Sequence, residues 1–272
     1  MIRIFSILAG LFFSAALLWS FLLGAINVSK EGLPHTVEKA FHEHPKELHL
    51  ASDGPFGKFD KEQLQRGFQV YSEVCSACHS LRHVAFRDLK ALGYNDDEVK
   101  AIAAKYQIPA YNPATGEVAT NPGVPTDYFP PVVYAGQGTP PDLSLIAKAR
   151  HGGAAYVYSL LTGYEAQPAE LLKEFPEAKT PEGLHYNPYF ANLNIAMPPP
   201  LTSEGQVTYG DGTKATVDQM AKDVAAFFVW TAEPKLEKRH QTGWPVLGFL
   251  LFATVLGYMA YRNIWADKKP KH

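Results

Sequence analysis

Cysteine is nearly missing from this chain, with two in 272 residues, Cys75 and Cys78. Without a second pair, the four thiolate or imidazole ligands of a structural zinc site cannot be assembled in the usual way. An excess of charge of either sign is lacking too. Lys and Arg number 25 against 27 Asp and Glu, a formal charge of −2, so there is no basic surplus and no sign of nucleic acid as a partner. Methionine is scarce, at four, which makes any search for a thioether ligand a short elimination. Proline and glycine, by contrast, are plentiful at 21 each. The prolines gather between Pro109 and Pro141 and again at Pro198, Pro199 and Pro200, so much of the middle of the chain reads as loop of restricted conformation.

Both cysteines fall in one motif. The stretch Asp60 to His83 reads DKEQLQRGFQVYSEVCSACHSLRH and contains Cys75, Cys78 and His79 as Cys-x-x-Cys-His. Asp60 is placed to cap a helix whose third position is Gln63, and Leu64, Phe68, Tyr71, Cys75 and Cys78 then recur at steps of four and three, which predicts one helical face. The spacing sets both thiols and the imidazole at neighbouring positions near the end of that helix. Such an arrangement suits covalent attachment of haem c, the sulfurs forming thioethers and His79 binding the iron axially. A redox-active dithiol would need no trailing histidine and would follow a strand. With both cysteines so committed no disulfide remains, and cysteine usage is silent on compartment.

The ends of the chain speak to compartment instead. Ile4 to Ile26 is apolar almost throughout, behind Arg3. Residues 1–26 therefore read either as a signal peptide or as a retained N-terminal membrane segment, because the run of about 23 residues exceeds a usual signal core and no clean A-x-A site follows. Residues 27–58 form a polar connector. His42, His44 and His49 lie in it, and Pro45 interrupts any register that would bring them together. Near the other end, residues 244–261 (WPVLGFLLFATVLGYMAY) are long enough for a transmembrane helix of roughly 27 Å, with aromatic residues at both ends. A basic tail, 262–272, carries Arg262, Lys268, Lys269 and Lys271. An export signal would place the domain between these segments outside the cytoplasm and the tail inside.

Between the ends, Asn95–Tyr106 reads as a helix with Asp96, Asp97 and Glu98 in its favoured first turn. The long Pro-rich stretch that follows is expected to pack through Tyr128, Phe129 and Tyr134. Asp142 is expected to cap a short helix ending at Arg150, with another helix from Ala154 to Leu161 stopped by Gly163. Arg150 has two readings, a solvated cation at a helix C-terminus or a fork pairing with a haem propionate. For the sixth iron ligand, Met1 and Met259 lie in apolar end segments. Met220 sits on the packing face of a helix opened by a Thr216–Gln219 capping box. That leaves Met197, held extended before three prolines, with His151 and His185 as rivals. His/Met ligation would favour electron transfer, whereas an open site would favour oxygen or peroxide chemistry.

Taken together, RGFQVYSEVCSACHSL, DYFPP, PPDLSLIAKARHGG, YVYSLLTGY, GLHYNPYF, AMPPPL, DGTKAT and MAKDVAAFFVWTAEP closely resemble the cytochrome c1 family, the haem subunits of the cytochrome bc1 complex, in family order from about Phe59 to the C-terminus. The resemblance implies one haem c carried by Cys75 and Cys78, axial ligands His79 and Met197, and Arg150 at a propionate. It implies single electrons passed from the Rieske iron–sulfur protein to a soluble or anchored cytochrome c, beside cytochrome b, with no acid–base or nucleophilic catalysis in this subunit of quinol–cytochrome c reductase. The segment between Pro131 and Pro140 is shorter than in many relatives, and Ala104 and Lys105 stand where some continue acidic. The leader lacks the Arg-rich and Ser-rich look of a mitochondrial presequence. A bacterial inner membrane is expected, with the haem domain on the periplasmic side.

The expected fold is mainly α, a class I c-type cytochrome domain (residues 59–240) with long Pro-rich loops, plus a C-terminal transmembrane helix. Gly67 is expected to let the haem helix approach the helix from Thr216 to Thr231. Rival functions are a membrane-tethered electron carrier or oxidase subunit, and a haem peroxidase.

Overall fold

The computed structural model describes residues 2–32, 35–111, 116, 118–136 and 138–268. Its helices, in chain order, are α1 (Ile2–Glu31), α2 (Val37–Phe41), α3 (Lys61–Val70), α4 (Asp96–Ala103), α5 (Ile146–Ala149), α6 (Gly153–Leu161), α7 (Ala169–Glu174), α8 (Val217–Ala232) and α9 (Leu236–Trp265). Two short antiparallel pairs add β1 (Gln107–Tyr111) with β2 (Val118–Pro122), and β3 (His185–Tyr186) with β4 (Asn194–Ile195). The fold is thus mainly helical with a long apolar C-terminal helix. Lys269 and Lys271 of the basic tail lie outside the described residues.

Two units are distinguished. The smaller joins the N-terminal residues through His42 to Pro168–Lys179. In it the His35 ring lies 5.4 Å from the Phe175 ring, and His35 Nε2 also contacts Glu174. Its α1 is apolar and exposed along its length, and long enough to cross a membrane.

The larger unit, Glu43–Gln167 with Thr180–His272, is organised by the crossing of α3 and α8. Asp60 accepts from the backbone N–H groups of Glu62 and Gln63 at 3.0 and 3.2 Å, satisfying two of the donors that a helix start leaves open. Leu64, Phe68 and Tyr71 are buried against Val224, Phe227 and Phe228. The rings of Phe68 and Tyr71 lie 5.7 and 5.9 Å from that of Phe227. Gly67 makes the approach possible: a Cβ there would stand 2.1 Å from the Asp223 carbonyl oxygen and 2.7 Å from Phe227 Cβ. Met220, expected in the core, is fully buried on α8.

The same seam holds a polar cluster. Asp223 is fully buried and accepts from Arg66 Nε at 2.9 Å, Gln63 Nε2 at 3.2 Å and Gln219 Nε2 at 2.8 Å, while Arg66 also reaches Asp211 at 2.6 Å. Thr216 caps α8 by accepting from Gln219 N–H. The reciprocal half of the expected capping box is replaced, because the Gln219 side chain turns to Asp223. On α4 the box does form, Asn95 and Glu98 each bonding the other's backbone N–H. That helix ends at Ala103, short of the expected Tyr106.

Four further expectations are revised. Asp142 caps no helix: α5 begins at Ile146, and the carboxylate instead serves a turn and a neighbouring strand of loop. Gly163 does not end α6 in a left-handed conformation; Thr162 is the C-cap, and Gly163 is where the Tyr189 ring lies too close for a Cβ, at 2.3 Å. Part of the Pro-rich stretch forms the exposed hairpin β1–β2, which no alternation of apolar residues announces. Finally, α9 runs unbroken from Leu236, with Pro245 inside it, so the apolar residues 244–261 are the middle of a longer helix.

Candidate functional site

The Cys-x-x-Cys-His segment begins where α3 changes pitch. Ser76 N–H donates to the Tyr71 carbonyl, five residues back, at 2.8 Å, so Tyr71–Cys75 is a π turn. The Cys78 and His79 N–H groups then both donate to the Cys75 carbonyl, at 3.1 and 2.9 Å. The two thiols and the imidazole are thereby gathered at the end of the helix, as their spacing predicts, but through a widened turn. Such turns are frequent at functional sites and have no sequence signature.

The PPDLS loop grips this segment from the other side, through four bonds between positions about 60 apart. Pro141 carbonyl oxygen lies 2.8 Å from His79 Nδ1. A carbonyl only accepts, so Nδ1 carries the proton, and Nε2 is left as the unprotonated ring nitrogen. Leu143 N–H donates to the Ser80 carbonyl at 2.9 Å, Asp142 Oδ2 accepts from Arg82 N–H at 2.8 Å, and Ser144 Oγ accepts from His83 N–H at 3.1 Å. Asp142 Oδ1 also accepts from Ser144 N–H at 3.0 Å, an Asx turn that Asp-x-Ser would have signalled. Beneath the motif, Tyr71 Oη donates to the His79 carbonyl at 3.0 Å.

Burial lowers the His79 pKa, against smaller opposing effects from the Pro141 bond and the Asp142 charge, so the ring is neutral and fit to bind a metal. Burial also pushes the Cys75 thiol up to about 12, with Cys78 adding to the effect. A thiol so disfavoured as thiolate is a poor dithiol nucleophile.

Met197 follows β4, half-buried, with its carbonyl accepting from Tyr164 Oη at 3.0 Å. Its neighbour Ala196 lies against Gly138, whose added Cβ would be 3.8 Å from Ala196 Cβ. Gly138 stands three residues before Pro141, the anchor of His79. Arg150 is exposed at the end of α5; burial raises the Tyr156 phenol, and the nearby Arg150 charge partly opposes that shift. Burial raises the Tyr164 phenol, and Tyr156 adds to that shift. The Tyr164 bond to the Met197 carbonyl joins segments 33 positions apart, which no local pattern reveals.

Of the rival ligands, His151 is exposed, and His185 stands in β3 with its ring 6.4 Å from that of Tyr164. His185 lines a cavity of about 400 Å³ with Tyr164, Thr180 and Pro199, to which neither cysteine nor His79 contributes. Among the described residues no group of three or more His, Cys, Asp or Glu is arranged to hold a metal ion, so His42, His44 and His49 form no such site. The acidic start of α4 is partly neutralised locally, Asp96 by Lys90 and Asp97 by Lys100.

This donor set fits a haem. Two thiols stand at attachment spacing, and the adjacent imidazole has one nitrogen fixed by a backbone carbonyl and makes no hydrogen bond through the other among the described residues.

Comparison with known proteins agrees. The sequence profile of the Cytochrome C1 family matches residues 50–268. The chain is 43% identical over 233 residues to cytochrome c1 of Rhodospirillum rubrum, covering 79% of this chain and 85% of that one. It is 37% identical over 266 residues to cytochrome c1 of Cereibacter sphaeroides, covering 84% and 89%. It is also 43% identical over 237 residues to a longer protein of Bradyrhizobium diazoefficiens named cytochrome b/c1, covering 79% of this chain and 34% of that one. With a helix end built for haem attachment, a long apolar C-terminal helix and these matches, the chain belongs to the cytochrome c1 family, the electron-transfer subunit of the cytochrome bc1 complex.

Proposed function

We propose that one haem c is attached covalently through Cys75 and Cys78, that His79 and Met197 are its axial ligands, and that Arg150 lies at a propionate. A haem so held supplies one-electron chemistry, with both axial positions taken. The contact between His79 Nδ1 and the Pro141 carbonyl carries the reading, because it aims Nε2 and holds the tautomer that binds iron. The PPDLS loop keeps that ring from rotating, and Tyr164 fixes the backbone from which the Met197 thioether extends.

In this reading the chain receives single electrons from the Rieske iron–sulfur protein and passes them to a soluble or anchored cytochrome c. Cytochrome b is its neighbour, a partnership favoured by the relative named for both. Residues 59–240 are the haem domain, 244–261 the membrane-spanning part of α9, and 262–272 a basic cytoplasmic tail. Residues 1–26 direct insertion, leaving the haem domain on the periplasmic side of a bacterial inner membrane. As part of quinol–cytochrome c reductase, the subunit moves electrons and performs no acid–base or nucleophilic step.

The test is a redox titration of wild type and Met197→Leu. A high potential is expected in wild type, falling substantially in the variant together with the sulfur-to-ferric-iron charge-transfer band. An unchanged potential and band would remove Met197 as ligand; pigment extracted from wild type by acidified acetone would remove the covalent link.

A further inference from the structure

At the start of the apolar stretch of α9, a loop far away in sequence builds a small cleft that electron transfer does not use. Residues Leu50 to Lys58 fold tightly. Asp53 Oδ2 accepts from Leu50 N–H at 2.8 Å, Lys58 N–H donates to the Ala51 carbonyl at 2.9 Å, and Gly57 packs where a Cβ would be 2.2 Å from the Ser52 carbonyl oxygen. Two bonds fasten the loop to α9: Phe59 N–H donates to Glu237 Oε1 at 2.9 Å, and His240 Nδ1 to the Gly57 carbonyl at 3.2 Å. The loop thereby lays the Phe56 ring flat on Trp244, with centroids 5.1 Å apart and planes 10° apart.

Phe56 is nonetheless 74% exposed. Beside the stacked pair is a space of about 120 Å³, lined by Phe56, Lys58, Glu237, His240, Gln241 and Trp244. Among the described residues Lys58 makes no ion pair, whereas Glu237 is occupied by the Phe59 amide. A nearly naked aromatic ring with an unpaired ammonium beside it, level with the first aromatic residue of the span, matches the chemistry of a bilayer's headgroup layer.

We infer that this cleft binds the headgroup of an anionic phospholipid. The inference rests on α9 being a membrane span. Lys58 meets the phosphate, with the Gln241 amide as a further donor, and the Phe56–Trp244 pair meets the upper acyl chain. The exposed Phe56 ring and continuity with the apolar stretch of α9 favour lipid over a protein occupant.

Native mass spectrometry of the full haem-bearing chain in detergent, titrated with dioctanoyl-phosphatidylglycerol, tests it. One lipid is expected to bind wild type preferentially, with Lys58→Gln and Phe56→Ala each weakening it roughly fivefold. Lys238→Gln, outside the cleft, is expected to bind as wild type does, and inorganic phosphate is expected not to compete. Equal affinity in wild type and both cleft variants, an equal loss in Lys238→Gln, or displacement by phosphate overturns the site. So does a Phe56→Ala variant that keeps its lipid and instead loses a protein subunit from the purified complex. Carbonate extraction of wild-type membranes reads the span separately: retention in the pellet upholds α9 as anchor even where the lipid site fails.

Discussion

Replacing Gly67 by alanine sets two effects of known sign against each other. Alanine in the interior of α3 is favoured by about 1 kcal/mol of helix propensity. Opposing this, the new Cβ would fall 2.1 Å from the Asp223 carbonyl oxygen, about 1.3 Å inside ordinary contact, and 2.7 Å from Phe227 Cβ. Neither neighbour yields cheaply. The carbonyl belongs to the α8 backbone, Phe227 is fully buried, and the Asp223 side chain is held by Gln63, Arg66 and Gln219. The helices must therefore part, loosening the packing of Phe68 and Tyr71 on Phe227. Overpacking costs roughly 1–3 kcal/mol, and with both neighbours rigid the upper end applies, so the net loss is about 2 kcal/mol. For a domain of this size that is a fall in Tm of roughly 4–8 °C. Thermal unfolding of the full chain, followed by far-ultraviolet circular dichroism, measures it. Gly210→Ala is the control, since a Cβ at that site meets nothing within 4 Å. A Gly67→Ala protein as stable as wild type would refute the argument that close helix approach explains the glycine.

Two further outcomes follow from the site. Burial alone would raise the Asp142 pKa, but the hydrogen bonds from Arg82 and Ser144 outweigh it and the pKa is lowered. Its stabilising contribution is complete above the usual carboxyl pKa of about 3.9 and is lost as pH falls through the lower folded value. Asp142→Asn should therefore lower Tm at pH 6, with the gap to wild type closing below about pH 4; a gap independent of pH would contradict the assignment. Arg150→Gln should lower the haem potential, because a nearby cation favours the electron-bearing state. A redox titration showing no change would place Arg150 away from the propionates.

Local signals read well from the sequence wherever a side chain serves its own backbone. Asp60 caps α3 as expected, Asn95 proves to be the cap of the helix it was expected to begin, and the apolar rhythm of α3 and α8 located their shared face. Even Gly67 was legible, since an interior glycine in a strongly patterned helix asks for a reason. What escaped were arrangements made by residues far apart in the chain. Asp142 resembles a helix cap, yet its carboxylate is drawn to Arg82, 60 positions away, and nothing near it in sequence says so. Gln219 matches a capping box until the buried Asp223 competes for its amide. The π turn at Tyr71–Cys75 needs one extra residue per turn, a change invisible to periodicity because the apolar residues still fall on one side. The bond from Tyr164 to the Met197 carbonyl is likewise tertiary. Met197 was singled out by elimination, a negative argument that a composition with only four methionines allows.

Pro245 lies within α9, one residue after the aromatic that opens its apolar stretch. Its ring nitrogen has no hydrogen to donate, so the carbonyl of Gln241 loses the amide that would otherwise close that turn. The rod therefore lacks one rung of its ladder, and the gap falls at the head of the apolar stretch. A bend at that point would change the direction of α9 without disturbing the turns on either side.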